Sequence, residues 1–309
     1  MQNMPHIPVL KDEVVESFYG CSEGYLIDCT IGYAGHSSAI MEAYPDISVI
    51  GIDRDDEALE FSNSRLKRYG DRYTLLKGSF AEKILEIKQK PIVGILADFG
   101  VSSLQLDKPE RGFSFDSDLL DMRMDQGSSL TAYDIINSYS KDRLEYIFGS
   151  YGEISQAAKL ADMITKARSK APIKSAKELS RIAKTTLPSK NKIHPATLLF
   201  QAVRIEVNDE LGQIEGLLDA LEKMRPASAT VSLITFHSLE DRIVKQRFKK
   251  WAKDCICDEN APRCTCGKKH SLGKIATKKP ITATKDELKL NPRSRSAKLR
   301  SFRFKGEEL

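Results

Sequence analysis

Three aspartates, Asp28, Asp53 and Asp98, each close a short apolar run: YLID, SVIGID and PIVGILAD. Helix-like segments fill the gaps, so the order reads β-α-β-α-β-α-β. In a doubly wound parallel sheet the carboxyl ends of the strands share one edge beside the ligand crevice. The three carboxylates are therefore expected to line one polar pocket of the Rossmann kind. Asp53 suits a ribose diol, because a carboxylate can accept two hydroxyl hydrogens at once. Any one of these acids alone would serve as a helix N-cap; three in register argue for a pocket. After Asp28 the loop carries Gly32 and Gly35, and a helix is expected to start near His36. Glycines let backbone approach a ligand, but the three-glycine spacing of a dinucleotide site is absent. The acid ahead of this loop suits a cationic or zwitterionic ligand better than a diphosphate.

Other residues offer different chemistry. His237 and Ser238 in FHSLEDRIVK are adjacent, which does not make a nucleophile–base pair, and no G-x-S-x-G elbow occurs. They read instead as the wall of the same pocket, at the carboxyl end of strand TVSLITF, with Ser238 capping the next helix. In SSLQLDKPERGFSFDSDLLDMRMD, Arg111 is a candidate for phosphate or base contact. Phe113 and Phe115 are candidate base-stacking platforms, or else pack beneath a surface loop. Asp116, Asp118, Asp121 and Asp125 lack the glycine and closing Glu of a calcium loop. Cys21 and Cys29 read as single buried thiols. Cys255, Cys257, Cys264 and Cys266 form a double C-x-C that fits four zinc thiolates, although zinc knuckles commonly use C-x-x-C and His270 is a competing ligand. A reduced or redox-labile loop is the other reading. No catalytic metal centre is expected.

The elements that must hold these residues divide the chain. From 106 to 205 no strand pattern occurs, only helical segments with apolar residues at three- and four-residue intervals. The sheet pattern resumes with helix NDELGQIEGLLDALEKM and strand ATVSLITF. The expectation is an α/β fold: one Rossmann-like domain (1–105 and 206–309) interrupted by an all-α insert (106–205), a size at which a segment has its own core.

Bulk properties bound the function. At 309 residues and 41% hydrophobic the chain can bury a sizeable core. No apolar run approaches the roughly 20 residues of a membrane span. The first residues, MQNMPHIPVLKDEVV, lack the pattern of a secretion signal, and six cysteines then suit a reducing compartment, which makes the cytoplasm the expected location. Residues 241–309 hold 20 Lys and Arg against 8 Asp and Glu, while 1–240 hold 28 against 35. A basic segment supplies the sequence-independent part of nucleic-acid binding. KLNPRSRSAKLRSFRF concentrates it, with Phe302 and Phe304 spaced as in a terminal strand.

Taken in order, HIPVL, DCTIGYAGHS, GIDRD, DFGVSS, ERGFSF, LDMRMD, HPATLLFQAVRIEVNDEL, FHSLEDRIVK and NPRSRSAKLR resemble the bacterial RsmH (MraW) family along nearly the whole chain. The resemblance implies a class I methyltransferase sheet with a helical insert for RNA substrate recognition. It implies methyl transfer from S-adenosylmethionine to the N4 amine of a cytidine in the decoding region of 16S rRNA, within the small ribosomal subunit. By position it implies cofactor contacts from Ala34, Gly35, His36, Asp53, Phe80, Asp98 and Gln105, with Phe80 near the adenine and Asp98 and Gln105 at the methyl-donor end. A homodimer is implied as well. Cys29 and Ala34 stand where the family loop is more glycine-rich, which predicts an adjusted loop. Asp98 is the expected catalytic acceptor for the target amine. A DNA amino-methyltransferase is the alternative substrate class, and a Rossmann-type nucleic-acid-binding protein without turnover is the alternative outside enzymes.

Overall fold

The computed structural model describes residues 7–188, 194–258 and 263–306; His6, which opens the HIPVL motif, and the N-terminal stretch before it lie outside. The described residues form two compact units, 1–100 with 212–309, and 101–211.

The first unit is built on a seven-stranded sheet of β1 (Gly24–Asp28), β2 (Ile47–Asp53), β3 (Tyr73–Lys77), β4 (Ile92–Asp98), β5 (Thr230–Thr235), β6 (Gly273–Ile275) and β7 (Lys298–Phe304). Its order is β3-β2-β1-β4-β5-β7-β6. β1 to β5 pair in parallel, and β7 joins β5 antiparallel. The central strands are apolar on both sides, as a parallel sheet covered on both faces requires. Ile27, Ile95, Ala97, Val231 and Leu233 face one core, with Ile214, Leu218 and Leu221 of helix Glu210–Met224 and Phe248 and Trp251 of helix Ser238–Trp251. Leu26, Val49, Leu96 and Ile234 face the other, with Phe18, Ile40 and Met41. Phe302 and Phe304 belong to β7 and pack on Trp251, with ring centroids 5.3 Å apart in each pair. Cys29 is buried and Cys21 only half-buried.

The strand order reverses between β1 and β4. That switch point opens a crevice at the carboxyl ends of the two strands, and Asp28 and Asp98 end those strands.

In the second unit only helices occur among the described residues. Ile135, Leu144, Ile147, Phe148, Leu160, Ile164, Leu179, Leu199 and Val203 form its core. Capping boxes at Thr131/Asp134 and Ser175/Glu178 satisfy the first amides of two of these helices. Asn208 pins the LDMRMD loop, accepting from the Met124 N–H and donating to the Met122 carbonyl, both at 2.8 Å.

Candidate active site

The loop after β1 is organised by the acids at the strand ends. Asp28 is 2% exposed and accepts the Ser37 hydroxyl at 2.6 Å and the Thr30 N–H at 3.2 Å. It is a buried brace for the loop, its oxygens turned to Ser37 and Thr30. Burial, only partly offset by these bonds, raises its carboxyl to about 6. Asp53 accepts the Gly32 N–H at 2.9 Å and the Asp55 N–H at 3.0 Å. A backbone bond from Arg54 also reaches it, and a carboxylate has acceptor capacity beyond these three for a ribose hydroxyl. Burial raises this carboxyl too, against the opposing backbone bonds.

Gly32 sits at φ 47° and Ala34 at φ 53°. The left-handed region costs a residue with a side chain on the order of 1 kcal/mol, so Ala34 carries strain at a place where glycine would relax. Ala34 precedes helix Gly35–Ala43, which begins one residue before the expected His36. His36 is held by its Nε2, 2.8 Å from the Val9 carbonyl, which makes that nitrogen the donor. Its Nδ1 lies 4.0 Å from Asp98 Oδ2.

Asp98 is only partly satisfied. Its backbone N–H donates to Thr30 Oγ1 at 2.7 Å, yet its buried Oδ1 has no hydrogen-bond partner. Burial, then the charges of Asp28 and Glu240, push the carboxyl well above the usual carboxylate range. An unpaired buried acceptor is costly, which makes Asp98, at the switch point, a candidate to accept a ligand's hydrogen. Gly100 follows at φ 110°, where a side chain would be strained, and a Cβ there would meet the Phe236 ring at 3.4 Å. Phe80 begins the short helix after β3 and lies 5.9 Å from Phe99 between ring centroids.

His237, not Ser238, caps the helix after β5. His237 and Glu240 form a capping box, with Glu240 Oε2 accepting the Phe236 N–H at 2.7 Å. Ser238 is exposed in the first helical position. Serine is the commoner cap, but here the strand ends at Thr235 and the helix begins at Ser238, one residue earlier than that preference implies.

The remaining expected residues lie in the second unit. Gln105 is buried, and its Oε1 accepts the Ser102 N–H at 3.0 Å. Arg111 is 3% exposed and donates to the carbonyls of Arg123 and Met124 at 3.1 and 2.9 Å. That corrects its reading as a phosphate or base contact: it ties the loop together. Phe113 belongs to the helical core, and Phe115 stacks on His194 at 4.5 Å and meets Phe200 edge-on at 4.7 Å. Neither ring is an open stacking platform. Asp121 is clamped by Arg123, which outweighs burial and lowers its carboxyl, and Asp118 pairs with Lys177. The basic tail is also partly internal: Arg300 grips Asp241 through two bonds of 2.7 and 3.1 Å. Thr30 and Ser37, which set the loop, escaped the sequence reading; hydroxyls flanking a strand-end acid are the local signal that marks them.

The sheet order and the strand-end acids make a Rossmann-like fold with an acid-lined switch point, and the family it matches makes it a methyltransferase that uses S-adenosylmethionine. The residues suit that cofactor: Asp53 for the ribose, the loop from Gly32 to His36 beside it, and Asp98 at the switch point. A family model described as the MraW methylase family matches residues 3–305, and the chain belongs to that family. Its relatives include proteins named ribosomal RNA small subunit methyltransferase H. The one from Sulfurovum sp. is 63% identical over 98% of this chain and 99% of its own length. Those from Nitratiruptor sp. and Wolinella succinogenes are 57% and 54% identical over 98% and 97% of this chain and 99% of theirs.

Proposed function

We propose that this chain methylates small-subunit ribosomal RNA, on the N4 amine of a cytidine in the decoding region of 16S rRNA. The observation that carries the reading is full-length identity of 63% to a ribosomal RNA small subunit methyltransferase H. No helix among the described residues is long and apolar enough to cross a membrane. The cytoplasm and the assembled small subunit are the setting in which such a substrate is met, and a homodimer is part of the same proposal.

When bound, S-adenosylmethionine supplies an electrophilic methyl on a positively charged sulfur, a charge that favours the ionised form of a nearby carboxyl. The residues mainly align donor and acceptor and exclude water. A cytosine amine is a weak nucleophile, because its lone pair is delocalised into the ring. The free Oδ1 of Asp98 accepts one of its hydrogens, which localises that lone pair and takes up positive charge as the new bond forms. His36, fixed through the Val9 carbonyl, orders the wall beside Asp98. His237 and Ser238 line the edge after β5. The target base has to leave its stack to reach Asp98.

The test is methyl transfer from labelled S-adenosylmethionine to small subunits lacking the modification, to naked rRNA and to duplex DNA, read by nucleoside mass spectrometry. N4-methylcytidine in the subunit or rRNA samples is expected. Label on DNA alone would replace RNA with DNA as the substrate class.

A further inference from the structure

Between helix Ser238–Trp251 and β6 the chain runs through 252–272, and the described residues there form no helix or strand. None of them is buried. A stretch of this length without its own core needs some other constraint to adopt one shape. The four thiols of Cys255, Cys257, Cys264 and Cys266 supply one, because their sulfurs all lie within 4.8 Å of one another. Cys255, Cys264 and Cys266 make a triangle with sulfur separations of 3.6, 3.6 and 3.7 Å. Disulfide sulfurs sit about 2.05 Å apart. Four sulfurs around zinc, each about 2.3 Å from the metal, sit about 3.8 Å apart in a tetrahedron. The triangle matches one face of that tetrahedron, with Cys257 as the fourth vertex.

We propose that Cys255, Cys257, Cys264 and Cys266 bind a structural zinc ion, separate from the methyl-transfer site. The surroundings suit thiolates. The Thr265 N–H points at Cys257 Sγ across 3.3 Å. Gly267, Lys268 and Lys269 all take positive φ, at 74°, 61° and 72°, folding the chain back just after the second C-x-C. Two of those are not glycine, so the turn is strained and needs holding. His270, the competing ligand, is turned to the Cys266 carbonyl, 2.9 Å from its Nε2, and is not needed. Four protein ligands leave no open position, the mark of a structural rather than a catalytic site.

The test uses full-length protein purified without chelator and does not depend on methyl transfer. Elemental analysis should find one zinc per chain, and Cys257→Ser combined with Cys264→Ser should remove it. Cobalt loaded in place of zinc should show thiolate-to-metal charge transfer and the intense visible bands of a tetrahedral site. Stripping the metal should open 252–272 to trypsin, at Arg263, Lys268 and Lys269. Substoichiometric metal, iron in place of zinc, disulfides among the four cysteines in freshly purified protein, or zinc retained by the double variant would each overturn the proposal.

Discussion

Ser37 donates its hydroxyl hydrogen to Asp28 across 2.6 Å, both side chains buried, and so ties the end of β1 to the helix that follows. The bond only partly offsets the burial of the acid, whose carboxyl stays at about 6. A raised folded-state value makes the group neutral-favouring in the fold. Its stability contribution is full below the unfolded value of about 4 and is lost as pH rises through about 6. Two units correspond to on the order of 3 kcal/mol. Asp28→Asn removes the titration, so relative to wild type the variant should gain stability between pH 4 and 7. Thermal unfolding across that range checks it; parallel curves for the two proteins would refute the assignment.

Asp53 supports the loop through Gly32 and is the expected ribose acceptor. Losing a charge-assisted hydrogen bond costs about 1.5–3 kcal/mol, or about 10- to 100-fold in affinity. Asp53→Asn should weaken S-adenosylmethionine binding by that factor, measured by titration calorimetry, with the KM for rRNA little changed. An unaltered cofactor affinity would move the ribose elsewhere.

Asp98 carries the sharpest kinetic expectation. General-base loss costs about 10²- to 10⁴-fold, so Asp98→Asn should lower single-turnover methyl transfer within that range while cofactor still binds. The wild-type carboxyl is pushed upward by burial, then by Asp28 and Glu240. Activity that needs the ionised acid is therefore lost as pH falls through a value above the ordinary carboxylate range. The Asn variant should lack this acidic limb. A limb that persists in the variant would assign the titration to another group.

What the sequence made legible follows from how local each signal is. The acids of β1, β2 and β4 were readable because each ends an apolar run buried on both faces, a pattern that needs no tertiary knowledge. The cap at His237 was missed by one residue, because Ser238 has the better local preference and only Glu240 beneath the strand end completes the box. Arg111 looked available because its acceptors lie 12 and 13 residues ahead in a loop without periodicity. The same holds for Arg300, whose partner Asp241 is 59 residues away. Charge is visible in a sequence, whereas the partner that cancels it is not.

That last pair separates fold from substrate. Arg300 and Asp241 are about one-tenth exposed, and although burial raises the Asp241 carboxyl, Arg300 holds it below the usual range. Breaking a buried pair costs about 3 kcal/mol or more, and here Lys298, 3.5 Å from Asp241, keeps part of the compensation, so the loss is smaller. Arg300→Ala should lower thermal stability accordingly and leave the salt dependence of rRNA binding unchanged. Arg295, exposed in the same basic stretch, should do the reverse. Arg295→Ala should leave stability intact and reduce the slope of log K against log salt by about 1. Filter binding across a salt series, run beside thermal unfolding, reads both. If Arg300→Ala flattened the salt slope without loss of stability, this arginine would face RNA rather than Asp241.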